Sequence, residues 1–116
     1  MDIRLKRAYE RAQASDGCRV LVDRLWPRGV SKSSARIDHW LKEISPSTEL
    51  RKWFAHDPEK WAAFRKRYFQ QLKEQPEVVG RLLEIARKGR VTLVYGAKDE
   101  EHNDAVALKE YLDSHA

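Results

Sequence analysis

Two short runs rich in β-branched residues limit what this chain can become. Cys18–Val22 follows the turn signal Ser15-Asp16-Gly17, and Arg90–Tyr95 follows Gly89. Each is short, apolar and bounded by breakers, which is the pattern of a buried strand. Between them lies chain patterned for helices, with apolar residues three and four apart. Parallel strands need long crossovers, and helices supply them. Ile3–Arg7 alternates apolar and basic residues and is a further candidate strand. The expectation is an α/β fold, with a small, mostly parallel sheet of two or three strands flanked by helices. It is expected to form a single domain over residues 1–116. A helical bundle accounts less well for the runs Val20-Leu21-Val22 and Val91-Thr92-Leu93-Val94.

Local signals set the remaining boundaries. Asp23–Ser34 reads as a long loop, because Trp26-Pro27 and Arg28-Gly29 break any regular pattern. Ala35–Ile44 reads as a helix capped by Ser34, with Ile37, Trp40, Leu41 and Ile44 on one face. A short helix follows and runs to Phe54. Ser45 caps it with Pro46 at its first position, or Ser47 does. Asp57-Pro58-Glu59 is the clearest helix start, and Trp61, Phe64, Tyr68 and Leu72 form its apolar stripe. Glu77–Lys88 is a further helix, stopped by Gly89. Gly96–Glu101 reads as a polar loop and His102–Leu112 as the last helix, with Asp99 as its cap.

Composition removes several function classes. The single cysteine, Cys18, excludes an internal disulfide framework and a cysteine-rich metal site. Cys18 precedes the apolar part of its strand, so it reads as a neutral, partly buried thiol and not a nucleophile. No apolar run approaches the roughly 18 residues of a membrane span, and the first residues lack an apolar secretory segment. The expected location is cytoplasmic, with no membrane partner. Net charge is +5, from 23 Lys+Arg against 18 Asp+Glu, which favours anionic partners at long range. The acids are interspersed among the bases, so a nucleic-acid partner is not expected. No dinucleotide fingerprint, phosphate loop, nucleophile elbow or zinc-protease helix occurs.

In parallel α/β sheets, ligands collect beyond the C-terminal ends of the strands. Asp23–Gly29 and Gly96–Asn103 are the loops in that position. If their strands are neighbours, the two loops converge. Arg24 and Arg28 then offer guanidinium forks suited to phosphate or carboxylate, and Lys98 offers a compact charge. Asp23, His56 and His102 are the candidates for proton transfer, and Asn103 for holding an amide or hydroxyl. Each has a plain structural alternative. Arg24 could pair with Asp23, Arg28 and Lys98 could face solvent, and His102 could be a first-turn surface residue. Trp26 reads as an anchor for its loop more than as the floor of a pocket. His56, His102 and one carboxylate lack the compact spacing of a zinc site, so neither metal nor cofactor is expected.

The segments DGCRVLVDRLWPRGVSK at 16–32, DHWLKE at 38–43, the HDPEKWAAFRKRY region through 68 and VTLVYGAKDEEHNDAVALKEYL at 91–112 carry a resemblance. Over nearly its full length the chain resembles the YeaO-like bacterial proteins, within the group called domain of unknown function 488. The resemblance implies a small cytoplasmic α/β protein with no settled activity. It draws Arg51 and Arg67, otherwise helix-surface residues, into the set of candidate polar positions. A related branch of the group carries a cysteine and a histidine near the end of its late strand. Here Tyr95-Gly96-Ala97-Lys98 stands in that region, which puts a thiol mechanism in doubt.

The reading is of a protein that binds or acts on a small anionic ligand, bearing phosphate or carboxylate, through an Arg/His/Asp cleft. Its ligand-binding set is Arg24, Arg28, Arg51, Lys98 and Asn103, and its catalytic set is Asp23, His56 and His102. Whether it is an enzyme stays open. The alternative is a nucleic-acid-associated or protein-interaction module without catalysis. A monomer or weak homodimer is expected.

Overall fold

The computed structural model describes residues 1–115. Four strands, β1 (Ile3–Arg7), β2 (Cys18–Leu21), β3 (His39–Trp40) and β4 (Val91–Tyr95), form one sheet in the order β1-β4-β2-β3. Every neighbouring pair is parallel, with Ile3 beside Val91, Cys18 beside Val91 and Val20 beside His39. The α-helices are α1 (Lys32–Ala35), α2 (Thr48–Phe54), α3 (Trp61–Lys73), α4 (Pro76–Lys88) and α5 (Asp104–Ser114). The α/β class follows from the sequence, but the sheet has four strands, not two or three.

Strand alternation sends successive side chains to opposite faces. Val20, Val22, Val91, Leu93 and Tyr95 join Phe54, Phe64, Tyr68, Leu82, Leu108 and Leu112 in the larger core. Leu21 and Val94 point the other way and meet Ala8, with Trp26, Val30, Ile37 and Trp40 packed over them. That second face also holds a buried ion network. Asp16 lies 2.7 Å from Arg19 Nη1 and 3.0 Å from Lys6 Nζ. Arg19 Nε donates to the Ala35 carbonyl, and the Thr92 hydroxyl donates to the Asp16 carbonyl. Gly17 adjoins this network at φ 69°, and a Cβ there would lie 2.4 Å from the Arg90 carbonyl oxygen. Only glycine fits so close to that backbone.

The expected helix over Ala35–Ile44 is not present. Ser31, not Ser34, caps the single-turn α1, and Arg36 ends it in the left-handed region at φ 49°. The chain then enters β3, held by Asp38 Oδ2, which accepts the Arg19 amide at 2.8 Å. Trp40 joins the smaller core and Leu41 the larger, as neighbours on a strand must. A 3₁₀ turn at Lys42–Ile44 completes the stretch. Of the two possible caps for α2, Ser47 is the one used, accepting the Leu50 amide. Asp57 and Pro58 open a 3₁₀ turn that runs into α3, so that helix start is where the sequence places it. The last helix starts two residues later than expected, at Asp104, and Asn103 caps it. Asp99 instead accepts the Glu101 and His102 amides in the turn before it.

Candidate ligand-binding site

β2 and β4 are neighbours, so the loops that follow them leave the sheet side by side. The first loop leads to β3 on one side, and the second runs directly into α5. Diverging connections of this kind open a crevice at the strand ends. Asp23 bridges it, and its Oδ2 accepts the Gly96 amide at 2.8 Å. A Cβ on Gly96 would come within 3.3 Å of that oxygen, which explains a small residue at this point.

The crevice deepens into a cavity of about 520 Å³. Asp23, Asn103 and Asp104 line it from the sheet side, and Thr48, Arg51 and Lys52 from α2. Leu25, Pro46, Phe54, Phe64 and Ala97 give it apolar walls, and His56 also lines it. His56 and Ala55 both take left-handed backbone angles, which ends α2 and turns the imidazole back beside Phe54.

The charges in the cavity are unevenly matched. Burial pushes the Asp104 carboxyl well above the usual carboxylate range, and the negative charge of Asp23 and a hydrogen bond with it push further. Both effects favour the protonated form of Asp104 beside Asp23. The buried Tyr68 phenol is also raised, first by burial and then by these two acids, and its hydroxyl donates to the Ile44 carbonyl at 2.6 Å. On α2, the Arg51 Nη2 lies 3.4 Å from Thr48 Oγ1, while its Nε is buried without a hydrogen-bond partner. Asn103 is fully committed as a cap. Its Oδ1 accepts the Val106 amide, and its Nδ2 donates to the Asp99 carbonyl.

Of the residues singled out from sequence, Asp23, Arg51, His56 and Asn103 meet around this cavity. Arg24 faces an adjoining groove with Glu43, Ser47, Glu49 and Tyr68, and its Nε is likewise buried without a partner. Arg28 is exposed, and its carbonyl accepts the Tyr9 hydroxyl. Lys98 is exposed as well. His102 Nδ1 lies 3.0 Å from Asp99, and its ring meets Trp61 edge-on at 5.3 Å, so it is held away from the cavity lining. Trp26 anchors its loop, donating to the Val30 carbonyl and packing edge-on against Trp40. The Cys18 thiol is raised by burial and then by Asp38, as a neutral thiol would be. Among the described residues no group of three or more His, Cys, Asp or Glu could hold a metal ion, and no helix is long and apolar enough to cross a membrane.

The sequence reading placed neither Lys52 nor Asp104 in this site, and Asp104 is the harder of the two to foresee. Its only signal is a second polar residue directly after a helix-capping asparagine, at a strand's C-terminal end. That signal gains meaning only once β2 brings Asp23 alongside.

Comparison with known proteins places this architecture. Residues 2–116 match the family described as "Inactive DUF488-N3 subclade". The chain is similar to the uncharacterized protein YeaO of Escherichia coli, at 46% identity over 114 residues, covering 98% of this chain and 99% of YeaO. It is similar also to the uncharacterized protein Rv3073c of Mycobacterium tuberculosis, at 36% identity over 110 residues, covering 95% of this chain and 92% of that protein. No solved structure gives a significant match. The near-complete overlap, with the parallel sheet and the DGCRVLVDRLWPRG segment at its centre, makes this chain a member of the DUF488-N3 group, in the subclade described as inactive.

Proposed function

We propose that this protein binds a small phosphate- or carboxylate-bearing ligand in the cavity at the ends of β2 and β4, and that it does so without catalysing a reaction. The observation that carries this reading is Arg51. Its side chain lines a cavity that Lys52 lines too, and its Nε is buried behind that lining without a partner. A half-buried guanidinium that keeps one unmet donor favours an anionic acceptor. The cavity volume lies in the range of small-molecule sites.

The family description favours binding over turnover. So does the disposition of the candidate acids and bases. His102 is turned to Asp99 and Trp61, and Asp23 is engaged with the Gly96 amide and Asp104. In this reading Asp23 and His56 hold and orient the ligand, and Arg51 and Lys52 neutralise it. Asn103 fixes the α5 start that presents Asp104. Arg24, in the groove that Ser47 also lines, has a second buried Nε without a partner.

Titration of inorganic phosphate and acetate, followed by amide chemical shifts, tests the reading. Saturable shifts are expected at Thr48–His56 and Gly96–Asp104, and Arg51→Met should weaken binding by about tenfold, one lost charge-assisted contact. Shifts spread over the whole basic surface, or unaffected by Arg51→Met, would remove it.

A further inference from the structure

We infer that the ligand of this cavity is an amphipathic monoanion, with an apolar body, its anionic group at Arg51 and Lys52, and a hydrogen-bond donor at the Asp23–Asp104 end. The inference rests on the anion-binding reading above and specifies its substrate class. Inorganic phosphate or acetate alone would leave most of the cavity without a partner. Leu25 is 68% exposed at its mouth, the most exposed of the large apolar side chains, while Phe54 and Phe64 are nearly buried and stack at 4.3 Å. With Pro46 and Ala97 these make an apolar lining that a hydrocarbon body covers favourably.

The two ends of the site differ in sign. Arg51 and Lys52 bring positive charge, and Arg51 brings an unmet donor. Asp23 and Asp104 bring acceptor oxygens and net negative charge. Asp23 Oδ2 already takes the Gly96 amide, so acceptor capacity remains on Oδ1. Asn103 is less available for the task, because each end of its amide already holds a bond within the turn and α5. A hydroxyl or ammonium group is thus accommodated at the acid pair, while a second carboxylate is repelled there. The ligand carries one anion, not two.

A matched series of probes separates these claims: acetate, phenylacetate, 3- and 4-hydroxyphenylacetate, and 4-carboxyphenylacetate. Calorimetry or amide-shift titration gives each affinity. Phenylacetate should bind at least tenfold tighter than acetate, the value of burying roughly half a ring. One of the hydroxylated compounds should gain about a further fivefold, and the dicarboxylate should bind more weakly than phenylacetate. Leu25→Ala should reduce phenylacetate binding severalfold and leave acetate unchanged. Asp23→Asn, checked for an unaltered unfolding curve, should narrow the difference between the dicarboxylate and phenylacetate, because it removes the negative charge at that end. Acetate binding as tightly as phenylacetate would overturn the amphipathic ligand while leaving anion binding intact. Tightest binding by the dicarboxylate, or no gain from either hydroxyl, would overturn the donor end. Failure of every probe, acetate included, would overturn both readings.

Discussion

One aspartate stands two residues before β2 and another two residues after it, and the protein treats them in opposite ways. Asp16, at the N-terminal end, is 7% exposed and surrounded by donors: Arg19 Nη1 at 2.7 Å, Lys6 Nζ at 3.0 Å and the Gln13 amide at 3.0 Å. Burial alone would raise its carboxyl, but the Gln13 amide, Lys6 and Arg19 outweigh burial and hold it below the usual range. Asp23, at the C-terminal end, has one amide and a second carboxyl for company, and the cations of its cavity sit on another element, α2. The first arrangement surrounds its carboxylate with donors and fixes the fold, although Arg19 Nη2 there also lacks a partner. The second leaves acceptors and donors facing the same space, which is how parallel sheets divide stability from binding between their two ends.

Several measurements press on this contrast. The largest effect is expected from Asp16→Ala, which leaves the Arg19 guanidinium, 3% exposed, without its carboxylate. Loss of a buried partner costs about 3–5 kcal/mol, readable as a lowered urea midpoint. Gly17→Ala should follow, at about 2–4 kcal/mol, because the new methyl combines a left-handed backbone angle with contact against the Arg90 carbonyl. A near-neutral result for both would show that this end of β2 is not the structural one.

The pH dependence should separate the two ends by sign. Asp16 has a lowered carboxyl, so its stabilisation is present above its unfolded value of about 3.9 and is lost as pH falls through its folded value. Asp104 has a raised carboxyl, so the folded state holds the proton more tightly than the unfolded state. Its contribution makes stability fall as pH climbs from about 3.9 through the raised folded value, and then level off. Asp104→Asn should remove that fall and raise stability at neutral pH. Unfolding curves across pH that superimpose for the variant and the parent protein would contradict the shared-proton arrangement. The smallest effect is expected at the surface. Lys109→Ala breaks a pair with Asp113 at 2.7 Å, in which both side chains are about a third or more exposed, and should change stability by less than about 0.5 kcal/mol.

The sequence made the frame of this molecule legible where local chemistry and burial agree. The β2 and β4 runs, the Asp57-Pro58 start and the apolar stripes of α3 and α4 are such places. It misled between Ala35 and Ile44, where Ile37, Trp40, Leu41 and Ile44 copy a helical spacing. In the fold Ile37 and Trp40 belong to one core and Leu41 and Ile44 to the other, so the apparent single face is two faces seen in projection. The loops of the candidate site were readable because strand ends are predictable in a parallel sheet. Their detailed partners were not. Arg24 is the stronger candidate in sequence, yet Arg51, read there as a helix-surface residue, is the one that α2 carries into the cavity with Asp23. Asp104 looks like an ordinary first-turn acid until the parallel pairing of β2 and β4 sets Asp23 beside it.

The order β1-β4-β2-β3 also decides what lies at the margins of the sheet. One margin is β3, only two residues long, and the other is β1, in which Arg4, Lys6 and Arg7 occupy three of five positions. A two-residue edge offers too little backbone to template another strand, and a basic edge sets like charges against each other when two copies approach. Open-ended growth of the sheet into fibres is thereby discouraged at both margins, even though β4, buried along its whole length and apolar except at Thr92, has a sequence well suited to such stacking.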